Sequence, residues 1–283
     1  MTNGNMNIAV TGSAGFVGRR LVNRLEQAGH QVVALDLASG VDLTNWKQVK
    51  KTPPVDYVFH LAARTFVPAA FEDPQSFYYT NLISTLNALE LCRRDSARFV
   101  YASSYVYGEP QYLPVDEKHP TGAHNPYAQS KLMGEELCQA YWRDFSVSSC
   151  ILRPFNIYGP EQPNSFLIPE IIRQARAGSI CLKDSRPKRD FVYVDDVIEA
   201  YVACLNFSKT GLETFNIGSG KSISVEEVAW AIAKQLGCDD VSFLGEHRPN
   251  EVLDTVADIS KARGLLNWKP AISLEQGIKR CLM

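Results

Sequence analysis

Short apolar runs and helical apolar repeats alternate along the first half of the chain. Residues 7–11 form an apolar run that stops at a glycine cluster, and from Phe16 onward Val17, Leu21, Val22 and Leu25 recur at helical spacing. The pattern predicts strand, turn, helix. Gly29 ends that helix, and residues 31–35 read as a second buried strand stopping at Asp36. A polar stretch with Pro53 and Pro54 precedes a third strand over 55–61, and apolar spacing predicts a helix over 81–92. Residues 98–102 read as a strand and 108–125 as a loop rich in Pro and Gly. A helix then begins at Pro126, a first-turn position where the missing N–H costs no bond, and residues 148–152 return as a strand.

Strands alternating with helices predict an α/β protein built on a doubly wound parallel sheet with right-handed crossovers. After residue 155 the rhythm weakens: helical spacing appears over 167–177, 225–236 and 274–281, between loops and short strands. We therefore divide the chain into a first domain, 1–155, and a smaller mixed region, 156–283, from which the chain is free to return to the first domain.

At 283 residues, 45% hydrophobic and 21% charged, the chain can bury about three quarters of its unfolded surface, which excludes disordered and collagen-like classes. Twenty-nine Lys and Arg against 31 Asp and Glu leave a net charge of -2 with no basic arm, so nucleic acid is not an expected partner. A polar stretch leads into Ile8, and no run of about 18 apolar residues occurs, so neither export nor a membrane is expected. Seven cysteines, odd in number and never spaced CxxC, read as reduced core thiols of a cytoplasmic protein, and no metal site is expected.

Gly12, Gly15 and Gly18 sit between the first strand and the first helix with Ala14, Phe16 and Val17 among them. Glycines there permit a tight turn, close approach of a pyrophosphate and close helix–sheet contact, and a helix N-terminus offers free N–H groups to phosphate. Asp36 ends the second strand, where an acid accepts from both adenosine ribose hydroxyls and repels a 2′-phosphate. The combination points to NAD. Asp42 and Leu43 fit an adenine contact as well as an exposed loop acid.

Tyr127 and Lys131 are four apart near a helix start, hence on one face. An adjacent ammonium favours the phenolate, so Lys131 is expected to lower the Tyr127 pKa and to donate to the nicotinamide ribose. Upstream, Ser103 and Ser104 end a strand, and the carboxyl ends of strands line the ligand crevice of such sheets.

With these residues in place the chain resembles the extended short-chain dehydrogenase/reductase family, in its NAD-dependent branch of nucleotide-sugar epimerases, dehydratases and ketoreductases. The resemblance also rests on His60-Leu61-Ala62-Ala63, on Ser103 to Gly108, on Arg153-Pro154-Phe155-Asn156-Ile157-Tyr158-Gly159-Pro160, on Arg189 to Asp196, and on Arg248-Pro249 with Trp268-Lys269-Pro270. It implies a Rossmann sheet with a C-terminal substrate-binding region, and Leu61, Ala62 and Ala63 beside the cofactor. It implies Tyr127 as base, Lys131 as activator, and Ser104 or Ser103 as donor to the sugar oxygen. Asn81, Asn156, Arg189 and Arg248 would meet a nucleoside-diphosphate sugar, the arginines neutralising its diphosphate. His60 reads as core, and Asn81 alternatively as a helix cap. Family members pair through two helices, for which Leu86, Leu89, Leu132, Leu137 and Tyr141 offer an apolar face of a homodimer, or else core.

The dehydratases carry an Asp-Glu pair after the serine, where this chain has Tyr105. Removing a C5 proton while protonating a departing hydroxyl needs that further acid and base, so dehydration ranks third. A 4-epimerase needs Tyr127, retained NAD and room for a 4-keto sugar to turn over, and it ranks first. A 4-ketoreductase follows closely, because the stretch from Phe66 to Pro74 resembles the GDP-sugar branch. A scaffold that binds NAD without turnover ranks last, having no need of a base beside its activator.

Overall fold

The computed structural model describes residues 4–247 and 251–283. The elements of the first half are β1 (Asn7–Thr11), α1 (Gly18–Gln27), β2 (Gln31–Leu35), α2 (Trp46–Val49), β3 (Tyr57–His60), α3 (Val67–Glu72), α4 (Pro74–Asp95), β4 (Arg98–Ala102), α5 (Pro126–Phe145) and β5 (Ser149–Pro154). There follow β6 (Asn156–Tyr158), α6 (Leu167–Arg176), β7 (Ile180–Leu182), β8 (Lys188–Arg189), β9 (Phe191–Tyr193), α7 (Val194–Ala203) and β10 (Leu212–Ile217). The chain ends through β11 (Ile223–Ser224), α8 (Val225–Leu236), β12 (Val241–Phe243), α9 (Ser260–Leu265) and α10 (Leu274–Leu282).

Among the described residues the main sheet has six strands, all parallel, in the order β10-β5-β4-β3-β1-β2. The chain leaves β1 for β2 on one side and then for β3 on the other, so strand order reverses at β1. That switch point is where such sheets open a crevice for ligands. Successive residues of β1 feed opposite layers: Ile8 and Val10 pack with Leu21 and Leu25 of α1 and with Val197 and Tyr201 of α7, while Ala9 packs with Leu89 of α4 and Cys138 of α5. A third cluster holds α6, α8 and α10 with the small parallel pair β6 and β9.

Residues beyond 155 thus supply both an edge strand, β10, and a covering helix, α7, to the main sheet. Apolar spacing underestimated α4, which starts at Pro74 rather than near 81, because Asp73 accepts from the Ser76 N–H and Pro74 fits the first turn. The start of α5 follows the same logic, Asn125 Oδ1 accepting from Ala128 N at 2.8 Å ahead of Pro126. All seven thiols are free, but Cys181 is exposed and Cys281 half-buried, so not every cysteine is core. Cys181 is the middle residue of a three-residue strand whose two neighbours face inward.

Candidate active site

The glycine turn is built by close approach. Gly12 has φ +67°, and a Cβ there would lie 2.7 Å from the Ala62 nitrogen; one on Gly18 would lie 2.0 Å from the Gly12 carbonyl oxygen. The turn and the start of α1 are therefore locked against the segment after β3. Beside them, at the end of β2, Asp36 accepts from Ala38 N at 2.9 Å and Ala14 N at 3.3 Å. Ser13, Ala14, Asp36 and Ser39 help to line a surface hollow of about 310 Å³. Phe16 turns away from this hollow toward Gly159 and, with Val17, packs on the C-terminal cluster. Asp42 accepts from the backbone and hydroxyl of Thr44 at 2.9 and 2.7 Å, and Leu43 is buried with its carbonyl held by Asn87, so this pair shapes the loop before α2.

His60 is wholly buried, in keeping with its reading as core, and acts as a crosslink. Thr85 Oγ1 donates to Asn81 O at 2.7 Å, so it must accept from His60 Nε2 at 3.0 Å, which leaves His60 Nδ1 to accept from Thr11 Oγ1 at 2.7 Å. Burial, aided by Lys131, holds the imidazole well below its usual range, hence neutral. Asn81 is no helix cap. It lies within α4, its amide donating to Ser130 Oγ at 2.8 Å and to Arg64 O at 3.1 Å while accepting from Arg64 N at 2.8 Å. Buried and engaged on both sides, it clamps the segment after β3 to the helix that carries Tyr127.

Tyr127, Lys131 and Ser104 come together at the carboxyl end of β4. Ser104 lies beside the Tyr127 phenol, close enough to oppose the rise of its pKa, whereas Ser103 is buried and donates to Glu135 Oε1. The two serines part just past β4: Ser103 N donates to Leu152 O of β5 at 2.8 Å and its side chain is buried, whereas Ser104 is half-buried beside Tyr127. The expected depression of the Tyr127 pKa is not what the site shows. Burial raises it, the neighbouring Ser104 hydroxyl opposing the rise, and the phenol is neutral. The Lys131 ammonium lies 4.8 Å from the centre of the Tyr101 ring and is itself pushed down to about 8 by burial.

The substrate candidates are placed less uniformly. Asn156 lines β6, its backbone N–H and side chain both donating to Asp190 O at 2.9 and 3.4 Å. Arg189 pairs with Glu251 and donates to Val252 O at 2.7 Å. Arg248 lies outside the described residues. Three further residues went unnoticed as site builders: Glu135, Arg153 and Asp190. Arg153 and Glu135 form a buried ion pair, and Asp190 receives four N–H or O–H donors from Ser219, Gly220 and Ala257. The signal for Arg153 was a charge inside an otherwise uncharged buried strand, and for Glu135 a charge one turn after Lys131 on the inward face.

A glycine turn after the first strand, an acid after the second, and a Tyr–Lys helix facing a serine at the sheet's carboxyl edge define a dinucleotide-dependent enzyme of the extended short-chain dehydrogenase/reductase type. Residues 8–218 match the model of the NAD dependent epimerase/dehydratase family, and the chain belongs to that family. It is 36% identical to a putative UDP-glucose 4-epimerase of Methanocaldococcus jannaschii, over 96% of each chain. It is 32% identical to a GDP-6-deoxy-D-mannose reductase of Pseudomonas aeruginosa, over 96% of this chain and 95% of the other. The structure of the UDP-glucose 4-epimerase of Thermus thermophilus in complex with NAD superposes with a TM-score of 0.88 at 30% identity, covering 98% of both chains.

Proposed function

We propose that the protein is an NAD-dependent 4-epimerase of a nucleoside-diphosphate sugar, working through a 4-keto intermediate. Ser104 beside the Tyr127 phenol, with the buried Lys131 one turn along the same helix, carries this reading. Tyr127 first loses its phenol proton to solvent, the Lys131 charge favouring the phenolate; the phenolate then takes the proton of the C4 hydroxyl as the C4 hydride leaves, Ser104 donates to the same oxygen, and the phenol gives that proton back when the hydride returns. Bound in the glycine turn beside Asp36, NAD would supply the hydride-transfer chemistry that oxidises C4 and reduces the keto sugar on its other face. Atoms balance over the cycle, and no external reductant is consumed. In this reading residues 1–155 hold the cofactor, and Asn156, Arg189 and Arg248 serve the nucleotide sugar.

The relatives support both an epimerase and a reductase. The reductase reading uses Tyr127 as acid and requires added reduced cofactor with a 4-keto-6-deoxy nucleotide sugar. Turnover of hexoses without added cofactor separates the two.

Cofactor choice follows from Asp36. Its carboxylate lies where the adenosine ribose would meet the end of β2, fixed by Ala14 and Ala38 N–H groups. We expect clear preference for NAD(H), narrowed by Asp36→Asn; equal wild-type affinities for NADP(H) and NAD(H) in a fluorescence titration would contradict this.

A homodimer through the outer sides of α4 and α5 belongs to the same proposal. Leu86, Leu132 and Leu137 are half-buried there, but Leu89 and Tyr141 are buried within the subunit and do not contribute. None of the helices among the described residues is long and apolar enough to cross a membrane. The free thiols support a reducing, cytoplasmic setting.

A further inference from the structure

We propose that Glu135 is a positioning residue that fixes both arms of the Tyr127 site, the serine loop through Ser103 and the Lys131 ammonium through its charge. Its kinetic readout rests on the reaction proposed above; its geometry does not. Glu135 lies one turn after Lys131 and two turns after Tyr127 on α5, so the three share a face. That face turns inward, with Lys131 3% and Glu135 2% exposed.

A carboxylate so buried is costly unless its oxygens are filled. Arg153 of β5 fills them as a fork, Nε to Oε1 at 2.9 Å and Nη2 to Oε2 at 2.5 Å, and Ser103 Oγ donates to Oε1. Arg153 Nη1 donates to the Tyr107 hydroxyl at 2.9 Å, which donates to Asn216 Oδ1 of β10 at 2.6 Å. The charge of Glu135 therefore has a fixed address relative to β5, β10 and the serine loop. Pinning Ser103 inward leaves Ser104 turned toward Tyr127.

The second arm is electrostatic. Lys131 is faced by Tyr127, Glu135 and Cys138 from its own helix, by His60 from β3 and by Tyr101 from β4. Burial keeps the Cys138 thiol and the Tyr101 and Tyr127 phenols protonated, and keeps His60 neutral. Two groups oppose the desolvation of Lys131, Cys138 first and then Glu135; with the Cys138 thiol held protonated by burial, the standing negative charge is that of Glu135. With the ammonium already pushed down to about 8, removing that charge moves its titration further down, toward neutral pH.

The test is NMR titration of the full chain labelled with 13C at the lysine ε-carbons, the Lys131 signal being assigned by its loss in Lys131→Met. In Glu135→Gln the Lys131 midpoint should fall by roughly one pH unit, and the alkaline limb of kcat should fall with it. Ser103→Ala keeps the Glu135–Arg153 fork but removes one donor from the buried carboxylate, so it should lower kcat several-fold and the melting temperature by a few degrees, with NADH affinity and the Lys131 midpoint unmoved. Should Glu135→Gln fail to fold, Glu135→Asp keeps the ion pair, draws the charge back and should give a smaller shift in the same direction. An unmoved Lys131 midpoint in the folded variant, or wild-type kcat in Ser103→Ala, overturns the proposal. A wild type that turns over no nucleotide sugar would instead refute the reaction, and the Lys131 titration would still decide the role of Glu135.

Discussion

Tyr127→Phe is expected to cut turnover by about 10²- to 10⁴-fold, the range general acid–base catalysis supplies. The substitution removes one hydroxyl from a half-buried ring and leaves Lys131, Ser104 and the glycine turn in place. Thermal stability and NADH affinity should therefore stay near wild type. The neutral phenol must shed its own proton before it can accept one, and the neighbouring Ser104 hydroxyl, a far weaker acid, cannot replace it as base. A Phe variant with more than about a tenth of wild-type turnover would remove Tyr127 from the chemistry.

The second large effect is on the cofactor turn. In Gly18→Ala the new methyl would meet the Gly12 carbonyl oxygen at 2.0 Å, and both partners are backbone, one locked in α1 and the other against Ala62. Neither can yield as a flexible side chain would. We expect a loss of at least about 1–3 kcal/mol of stability, the usual cost of overpacking, together with loss of measurable NADH binding. Fluorescence titration and a denaturant melt measure the two. Tight NADH binding by this variant would contradict the close-approach account of the turn.

The turn, Asp36 and the Tyr127–Lys131 pair were legible because each is local: a spacing within one element, or the end of one strand. The alternation of strands and helices likewise exposed the sheet through β5. What escaped was what depends on distant segments. Ser103 and Ser104 are neighbours with the same side chain, and their different directions follow from Glu135 and β5, far along the chain. Lys131 and Tyr127 share a face as the spacing requires, yet the spacing says nothing of burial, which raises the Tyr127 phenol rather than lowering it. The Arg189–Glu251 pair and the four donors on Asp190 depend on loops returning from the C-terminal half. Helix α4 began early for a local reason that apolar periodicity cannot register, the Asp73 cap followed by Pro74.

The most direct test of the central claim is incubation of the purified protein with UDP- and GDP-hexoses, no cofactor being added, followed by chromatographic separation of C4 epimers. The account predicts that one of these sugars and its C4 epimer approach the same equilibrium mixture from either side, with no net change in nicotinamide absorbance. Turnover that appears only with added NADH and a 4-keto-6-deoxy nucleotide sugar, with NADH consumed in proportion to product, would contradict the epimerase reading and establish a reductase.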